Sequence, residues 1–556
     1  MTPAWSTACP DWDTRLIEGR SIIPFAPLYP AHADEALAVL RELVLVDVAG
    51  KPTFGEAARP WVLDFASAVF GAYDHASGRQ LIREYLLLIS KKNGKSTLAA
   101  GIMLTALVLN WRESAEFLIL APTVEVAKNS FDPAADMVRA SPELRDLLHV
   151  APFHRTITHR TTGATLKVVA ADNDTVSGKK ATAVLVDELW LFGKKAGAEN
   201  MLTEATGGLA ARPEGFVIYL STQSDEPPAG VFRQRLNYFR DVRDGKIDDP
   251  RSLPVLYEWP AEQLAAKGYL DPARWHVTNP NLGASVDHQF ISDGLAKAQI
   301  GGEGSLRGFL AKHLNVEIGL ALRSDGWAGG EYWPQQAEAG LTLAGILARS
   351  EVVTVGIDGG GLDDLLGLSV VGRERGTGRW LAWCRAWAHP VVLKRRQQIA
   401  AQLQDFAAAG EVRIVDRVGD DLAELVSICR EVADAGLLPD QHGIGVDPGN
   451  SHAVVDALTA AGFTAEQMAA VSQGWRLGGA IKLAERKLAE GALFHAGQAV
   501  MAWCVGNAKV EPKGNAMLIT KQASGSAKID PLMAMFNAVE LMARSPIVAG
   551  ADQVYV

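Results

Sequence analysis

Ile89-Ser90-Lys91-Lys92-Asn93-Gly94-Lys95-Ser96-Thr97 is the stretch from which the fold is read. It follows an apolar run at residues 85–89 and opens into a helical run at 98–107. Further apolar runs at 117–120, 184–186 and 216–220 alternate with helical segments. Such runs are apolar throughout because helices cover both faces of a parallel sheet. From about residue 80 to 225 the chain is therefore expected to form a doubly wound parallel α/β sheet. Upstream, residues up to about 75 are rich in Pro, Trp and short helical patterns such as 34–45, and read as an N-terminal cap.

The nine quoted residues have the make-up of a phosphate-binding loop. Backbone N–H groups and a helix N-terminus surround the phosphates, a lysine bridges the outer ones, and a hydroxyl binds Mg²⁺. Lys95 and Ser96 take the last two roles, with Lys91, Asn93, Gly94 and Thr97 completing the loop. Ile89 stands where the first glycine of such loops usually lies. Downstream, Ala183-Val184-Leu185-Val186-Asp187-Glu188 is an apolar strand ending in two carboxylates. Asp187 can hold Mg²⁺ and Glu188 can polarise an attacking water. Alone, such a pair is also what a solvent-facing strand end carries; with Lys95 and Ser96 it reads as part of one nucleotide site. The strand at 216–220 ends in Ser221-Thr222-Gln223, a polar cluster suited to sensing the γ-phosphate, though by itself also an ordinary strand-to-loop turn.

Between about 226 and 350 the strand signal fades, and Ser324-Asp325-Gly326-Trp327 and Gly329-Gly330-Glu331-Tyr332-Trp333 suggest a connector. A second domain is expected from about 351, with strand runs at 352–357, 367–372 and 380–383. Asp358 ends the first of these, and Asp364 follows on a Gly-rich turn. Asp447 and Asp530 each precede a proline, which fits a helix N-cap with proline in the first helical position. Taken together, three separated carboxylates at strand ends or helix starts suit a two-metal phosphodiester cleavage centre, in which two ions roughly 3.5–4 Å apart share acidic ligands. Basic residues outnumber acids nearby: Arg476, Lys482, Arg486, Lys487, Lys509, Lys513, Lys521 and Lys528. Lys482 and Arg486, four apart on a helix, either face a DNA backbone or form a solvated face with Glu485 and Glu490 as partners.

At 556 residues the chain exceeds what one hydrophobic core usually serves, so two or three domains are expected. No apolar run approaches the roughly 20 residues of a membrane span, and residues 1–10 lack the pattern of an export signal. Cys9, Cys384, Cys429 and Cys504 have no zinc or disulfide spacing and read as reduced thiols. A formal charge of −10 excludes a uniformly basic nucleic-acid coat, so DNA contact has to be local.

The order and spacing of these elements resemble the large subunit of tailed-phage terminases. Arg59-Pro60-Trp61 with Phe70-Gly71 looks like the family's adenine-side region, and Ala121-Pro122-Thr123, Trp275 and Asn279-Pro280 recur where the family places them. In the second domain the likeness extends through Ser472-Gln473-Gly474, Lys482, Leu483, Glu485, Asn507 and Lys521. Two positions depart: Val62 stands where many relatives carry glutamine, and Lys91 where they often carry an arginine, so no arginine finger is assigned.

The resemblance implies a P-loop NTPase domain followed by a ribonuclease-H-like α/β nuclease domain, with boundaries at a cap (1–75), an ATPase with connector (76–325), a linker (326–350), the nuclease (351–546) and a tail (547–556). It implies ATP with Mg²⁺ bound at Lys91, Asn93, Gly94, Lys95, Ser96, Thr97, Asp187 and Gln223, with Glu188 activating water. It further implies Mg²⁺ or Mn²⁺ on Asp358, Asp447 and Asp530, with Asp364 as a fourth ligand. The implied partners are double-stranded DNA, a procapsid portal, a terminase small subunit and copies of the chain in a ring; no membrane is implied. The implied address is the host cytoplasm and, transiently, the portal vertex. A helicase-nuclease of repair or defence and a structural capsid component are the competing classes.

Overall fold

The apolar run ahead of the glycine turn forms strand β1 (Glu84–Leu88), with its last four residues buried. The computed structural model describes residues 5–170, 181–195, 197–318, 326–449, 452–513, 516–521 and 528–547. Two units, Met1–Ile318 and Gly319–Val556, each fold around their own contacts.

In the first unit, β1 is joined by β2 (Glu116–Ala121), β3 (Leu148–Ala151), β4 (Thr156–His159), β5 (Thr165–Ala170), β6 (Ala181–Val186), β7 (Phe216–Ser221) and β8 (Ser252–Leu256). Among the described residues these make one sheet in the order β8-β1-β7-β6-β2-β5-β4-β3. The six strands from β8 to β5 are parallel, whereas β4 and β3 are antiparallel additions at one edge. Residues 85–88 of β1, 117–121 of β2 and all of β6 and β7 are buried, as the apolar runs require. Parallel register aligns the strand ends: Leu88 pairs with Ser221, and Leu120 with Val186. The phosphate loop, Asp187-Glu188 and Ser221-Thr222-Gln223 therefore leave the sheet at one edge, where parallel α/β sheets place their ligands.

The sheet is wider than expected. Strand β8 falls in the stretch read as connector; Pro254 interrupts its pattern and is tolerated because β8 pairs on one side alone, with β1. Strands β3 and β4 are short and mix polar with apolar residues, as half-covered edge strands do. Residues 5–75 belong to the first unit: Cys9 N–H donates to the Arg243 carbonyl at 2.8 Å, and the Arg243 guanidinium lies 3.8 Å from the centre of the Trp12 ring.

The second unit carries a mixed sheet of β9 (Ser350–Gly359), β10 (Leu365–Glu374), β11 (Trp380–Ala388), β12 (Val412–Ile414), β13 (Ile444–Val446), β14 (Met468–Ala470) and β15 (Leu493–His495). Its order is β12-β11-β10-β9-β13-β14, with β15 also on β11. Strands β9, β10 and β11 run antiparallel in turn, and β13 lies parallel to β9. Apolar clusters cover both faces, in keeping with the expected α/β nuclease fold. Helix α1 (Asp530–Met542), buried along nearly its whole length, packs on β9 and β10. Two glycines admit it: a Cβ on Gly356 would sit 1.9 Å from the Ala534 carbonyl oxygen, and one on Gly367 2.6 Å from the Pro531 nitrogen.

Residues 326–350, expected as a linker, are part of this unit's core. Trp327 packs edge-on to Phe536 at 5.0 Å, Trp333 stacks on His495 at 3.8 Å, and both tryptophans are buried. The second unit is bounded at Gly319, ahead of the expected boundary at 351. The expected C-terminal tail at 547–556 lies outside the described residues apart from Ile547.

A fragment covering 351–556 should therefore be much less stable than one covering 319–556. Removing a buried tryptophan side chain costs about 3–5 kcal/mol, and about 1 kcal/mol corresponds to roughly 2–4 °C for a domain of this size. Thermal unfolding of the two fragments should differ by at least ~10 °C; equal midpoints would show that Trp327 and Trp333 are dispensable.

Candidate active sites

The first site forms at the shared strand edge of the Met1–Ile318 unit. After β1 the chain turns through Lys92 and Gly94, both with positive φ (70° and 76°), and enters helix α2 (Lys95–Val108). Gly94 suits that conformation because it has no Cβ to clash. The first turn of α2, which includes Ser96 and Thr97, presents N–H groups that have no acceptor inside the helix. The turn is tied down by an asparagine: Asn93 Nδ2 donates to the carbonyls of Ser90 and Lys91 and to Asn279 Oδ1 at 2.8 Å. Asn281 donates back to Asn93 through its backbone and its side chain, both at 3.0 Å, and accepts from Trp61 Nε1 at 2.7 Å. Three separate stretches, 59–61, 89–97 and 279–281, thus meet at the loop. Val62, next to Trp61, is buried.

Lys95 is buried and ion-paired with the Glu188 carboxylate. Burial acts to lower the Lys95 pKa, but Glu188 and Asp187 outweigh it and hold the ammonium above its ordinary value. Burial pushes Glu188 the other way, and the Lys95 charge brings it below the usual carboxylate range. Asp187 is raised by burial, against the pull of Lys95. Asp187 accepts from Ser130 Oγ and from the Glu188 backbone N–H, each at 2.9 Å. Glu188 itself has φ 55° and ψ 52°, a left-handed conformation that costs a non-glycine residue of order 1–3 kcal/mol and persists where the surrounding structure over-determines it. Its second oxygen accepts from Trp190 Nε1.

Gln223 lies on the same edge. Its N–H donates to Asn315 Oδ1 at 2.9 Å and its carbonyl accepts from Lys312 Nζ at 2.9 Å. Its buried side-chain amide has no hydrogen-bond partner among the described residues. Lys91 donates its backbone N–H to the Lys312 carbonyl at 2.7 Å. Ser130, Trp190, Lys312 and Asn315 were not singled out from sequence. Trp190, two residues past Glu188, was the most accessible signal; the others sit in ordinary helical or loop text.

The second site forms in the Gly319–Val556 unit. Asp358 ends β9, and because Ile357 pairs with Val446, Asp447 leaves the adjacent strand at the same level. Asp530 is buried at the start of α1 against that edge: a Cβ on Gly359, the next residue after Asp358, would lie 2.9 Å from Asp530 Oδ1. The helix is fixed by Asn537 Nδ2, which donates to the Ile357 carbonyl at 2.9 Å and accepts at Oδ1 from Gln473. Ser369 Oγ donates to the Pro531 carbonyl at 2.8 Å. Asp364 accepts from the buried Lys528 at 2.5 Å.

Neither proline-preceding aspartate is an N-cap, contrary to expectation. Asp530 is the first residue inside its helix, with Ile529 at the cap. Asp447 closes a turn by accepting from the Gly449 N–H at 2.9 Å, and the next described helix starts at His452. No three of Asp358, Asp364, Asp447 and Asp530 bring ligand oxygens within 4.8 Å of one another.

Of the basic residues, Lys482 and Arg486 are both exposed on helix α3 (Gly478–Ala489), and Arg486 pairs with Glu490 at 2.6 Å. Lys487 lies 4.3 Å from the centre of the Trp380 ring and Lys509 pairs with Glu511. The side chains of Lys513 and Lys521 lie outside the described set. Cys9, Cys384, Cys429 and Cys504 are free and buried. Among the described residues no helix is long and apolar enough to cross a membrane.

Comparison with known proteins gives two family matches, to the terminase large subunit ATPase domain over residues 60–240 and to the terminase large subunit endonuclease domain over residues 255–545. The terminase large subunit of Lactococcus phage p2 is 23% identical over 478 residues, covering 83% of this chain and 82% of the relative. That of Enterobacteria phage HK97 is 23% identical over 491 residues, covering 86% and 89%. The crystal structure of the HK97 large terminase superposes with a TM-score of 0.46 at 20% identity, over 91% of this chain and 99% of that one. Both domains are thus accounted for, in the order in which the two sites occur, and the chain belongs to the terminase large subunit family: it is a phage DNA-packaging ATPase that also cuts DNA.

Proposed function

We propose that Lys95, Ser96 and Asp187 hold magnesium ATP while Glu188 activates the attacking water. We also propose that Asp358, Asp447 and Asp530, with Asp364 beside them, hold the Mg²⁺ or Mn²⁺ ions of the nuclease. The observation that carries the first assignment is the buried Lys95–Glu188 pair at the mouth of the phosphate loop. Two opposite charges taken out of water are costly unless each is used. Arriving phosphates offer Lys95 a second anionic partner, which frees Glu188 to accept a proton from water. Lys91, Asn93, Gly94 and Thr97 shape the loop that receives the phosphates. The unpartnered Gln223 amide fits a polar group that arrives with the nucleotide, since buried amides are almost always hydrogen-bonded.

The nuclease reading rests on the convergence of Asp358 and Asp447 at adjacent strand ends with Asp530 against them. Bound divalent ions would supply an acidified water and offset charge at the scissile phosphate. The protein's part is to hold the carboxylates: Asn537 and Ser369 fix the helix that bears Asp530. Lys528 is ion-paired with Asp364.

Double-stranded DNA, a procapsid portal, a small subunit and a ring of copies complete the proposed packaging assembly, which works in the host cytoplasm and at the portal vertex. The proposed domains are the two units, with the cap inside the first. Nothing observed favours the helicase-nuclease alternative.

Substituting the two ATPase residues should separate their defects. Lys95→Ala should weaken nucleotide binding about 10–100-fold, the loss of one charged hydrogen bond. Glu188→Gln should keep binding near the parent value and lose roughly 10²–10⁴-fold in hydrolysis. Equilibrium binding of a labelled nucleotide and steady-state phosphate release measure the two; hydrolysis at the parent rate in Glu188→Gln would remove it as the base.

For the nuclease, Asp358→Asn and Asp530→Asn should each abolish plasmid cutting with Mn²⁺ or Mg²⁺ while ATP hydrolysis stays near the parent rate. Either variant still cutting at the parent rate would show that its carboxylate is not a ligand.

A further inference from the structure

Lys312 is the last residue but one of helix α4 (Glu303–His313), far in sequence from the phosphate loop, and is buried with an exposure of 8%. Three parts of the ATPase site meet on it. Its carbonyl accepts the Lys91 N–H of the phosphate loop at 2.7 Å. Its ammonium donates to the Gln223 carbonyl at the end of β7 at 2.9 Å. The same ammonium lies 2.9 Å from the centre of the Trp190 ring, and Trp190 Nε1 in turn donates to the Glu188 carboxylate.

We propose that Lys312 is a positioning residue for ATP hydrolysis, holding the Glu188 carboxylate in place through the Trp190 ring while joining the phosphate loop to the strand end at Gln223. The inference rests on Glu188 being the group that activates water. A cation over an indole face fixes the ring in one orientation and polarises its N–H toward the edge, where the acceptor is Glu188. Glu188 sits in a left-handed conformation between Lys95 and Trp190, so the indole N–H is the contact that sets its second oxygen. A helix C-terminus would be held equally well by an apolar side chain, and burial makes the charge expensive: it lowers the Lys312 pKa to about 7 against the pull of Asp225 and Glu188, with Lys91 and Lys194 adding to the lowering. A buried amine that donates to a strand-end carbonyl and lies over an indole face points to use rather than packing.

The test is a double-mutant cycle on the full chain, with Glu188→Gln as control. Lys312→Met keeps the stem and removes the charge; Trp190→Phe keeps a ring and removes the N–H. Each should lower kcat about tenfold or more with KM for ATP within about twofold, the sign of an interaction made in the reaction step. The double variant should be no more than about twofold slower than the worse single one, because both act on one contact. Lys312→Arg, which preserves cation and donor, should recover most of the loss. Full additivity, an unchanged kcat in Lys312→Met, or failure of Lys312→Arg to rescue would overturn the proposal. Should Lys312→Met not fold, Trp190→Phe and Lys312→Arg still decide: parent kcat in Trp190→Phe, or Lys312→Arg as slow as Trp190→Phe, overturns it. Hydrolysis by Glu188→Gln at the parent rate would remove the base assignment and this proposal with it, whereas an inactive Glu188→Gln beside a fully active Lys312→Met would defeat this proposal alone.

Discussion

A lysine and a glutamate held out of water at the end of a parallel sheet constrain the whole ATPase unit. Lys95 starts a helix and Glu188 follows a strand ninety-three residues later, so the pair exists only if β1 and β6 end at one level and β7 between them does too. Parallel register provides this. The cost is visible around the pair, in the left-handed backbone of Glu188, the buried Asp187 held by Ser130, and the asparagine lattice that pins the loop. Removing one member of a buried pair strands the other, at about 3–5 kcal/mol. Charge placement and fold are therefore linked here.

The nuclease unit solves a similar problem with glycine. A helix lies in backbone contact with the sheet at Gly356 and Gly367, close enough that Asp530 at its first position reaches the edge where Asp358 and Asp447 emerge. Polar bonds from Thr354, Ser369 and Asn537 bind helix to strand at Pro531 in its first turn and again at Asn537 and Ala538. Carboxylates on three elements are thereby held by packing rather than by long loops.

Much of this was legible in the sequence, for identifiable reasons. The strands at 84–88, 116–121, 181–186 and 216–221 stood out because burial on both faces leaves each with an unbroken apolar run. Lys95, Asp187, Glu188 and Asp358 were readable because each follows or ends such a run. The strand at 252–256 was hidden by Pro254, which only an edge position tolerates. Trp327 and Trp333 were misread because glycine-rich aromatic text describes a linker and a core plug alike until packing decides. Asp447 and Asp530 looked like caps because proline followed them, and the backbone that separates a cap from a first-turn residue is set by what the helix packs on. Lys312 carried no local pattern, since what distinguishes it is contact with Gln223 and Lys91, both far away in sequence.

The central claim is that the chain carries two centres with separate chemistry on separate units. The most direct measurement is to produce Met1–Ile318 and Gly319–Val556 as independent proteins and assay each for ATP hydrolysis and for plasmid cutting with Mn²⁺. The account predicts hydrolysis without cutting from the first, and cutting without any nucleotide from the second. Cutting that requires ATP or the first unit, or a folded second unit that leaves plasmid intact with both metals, would contradict it.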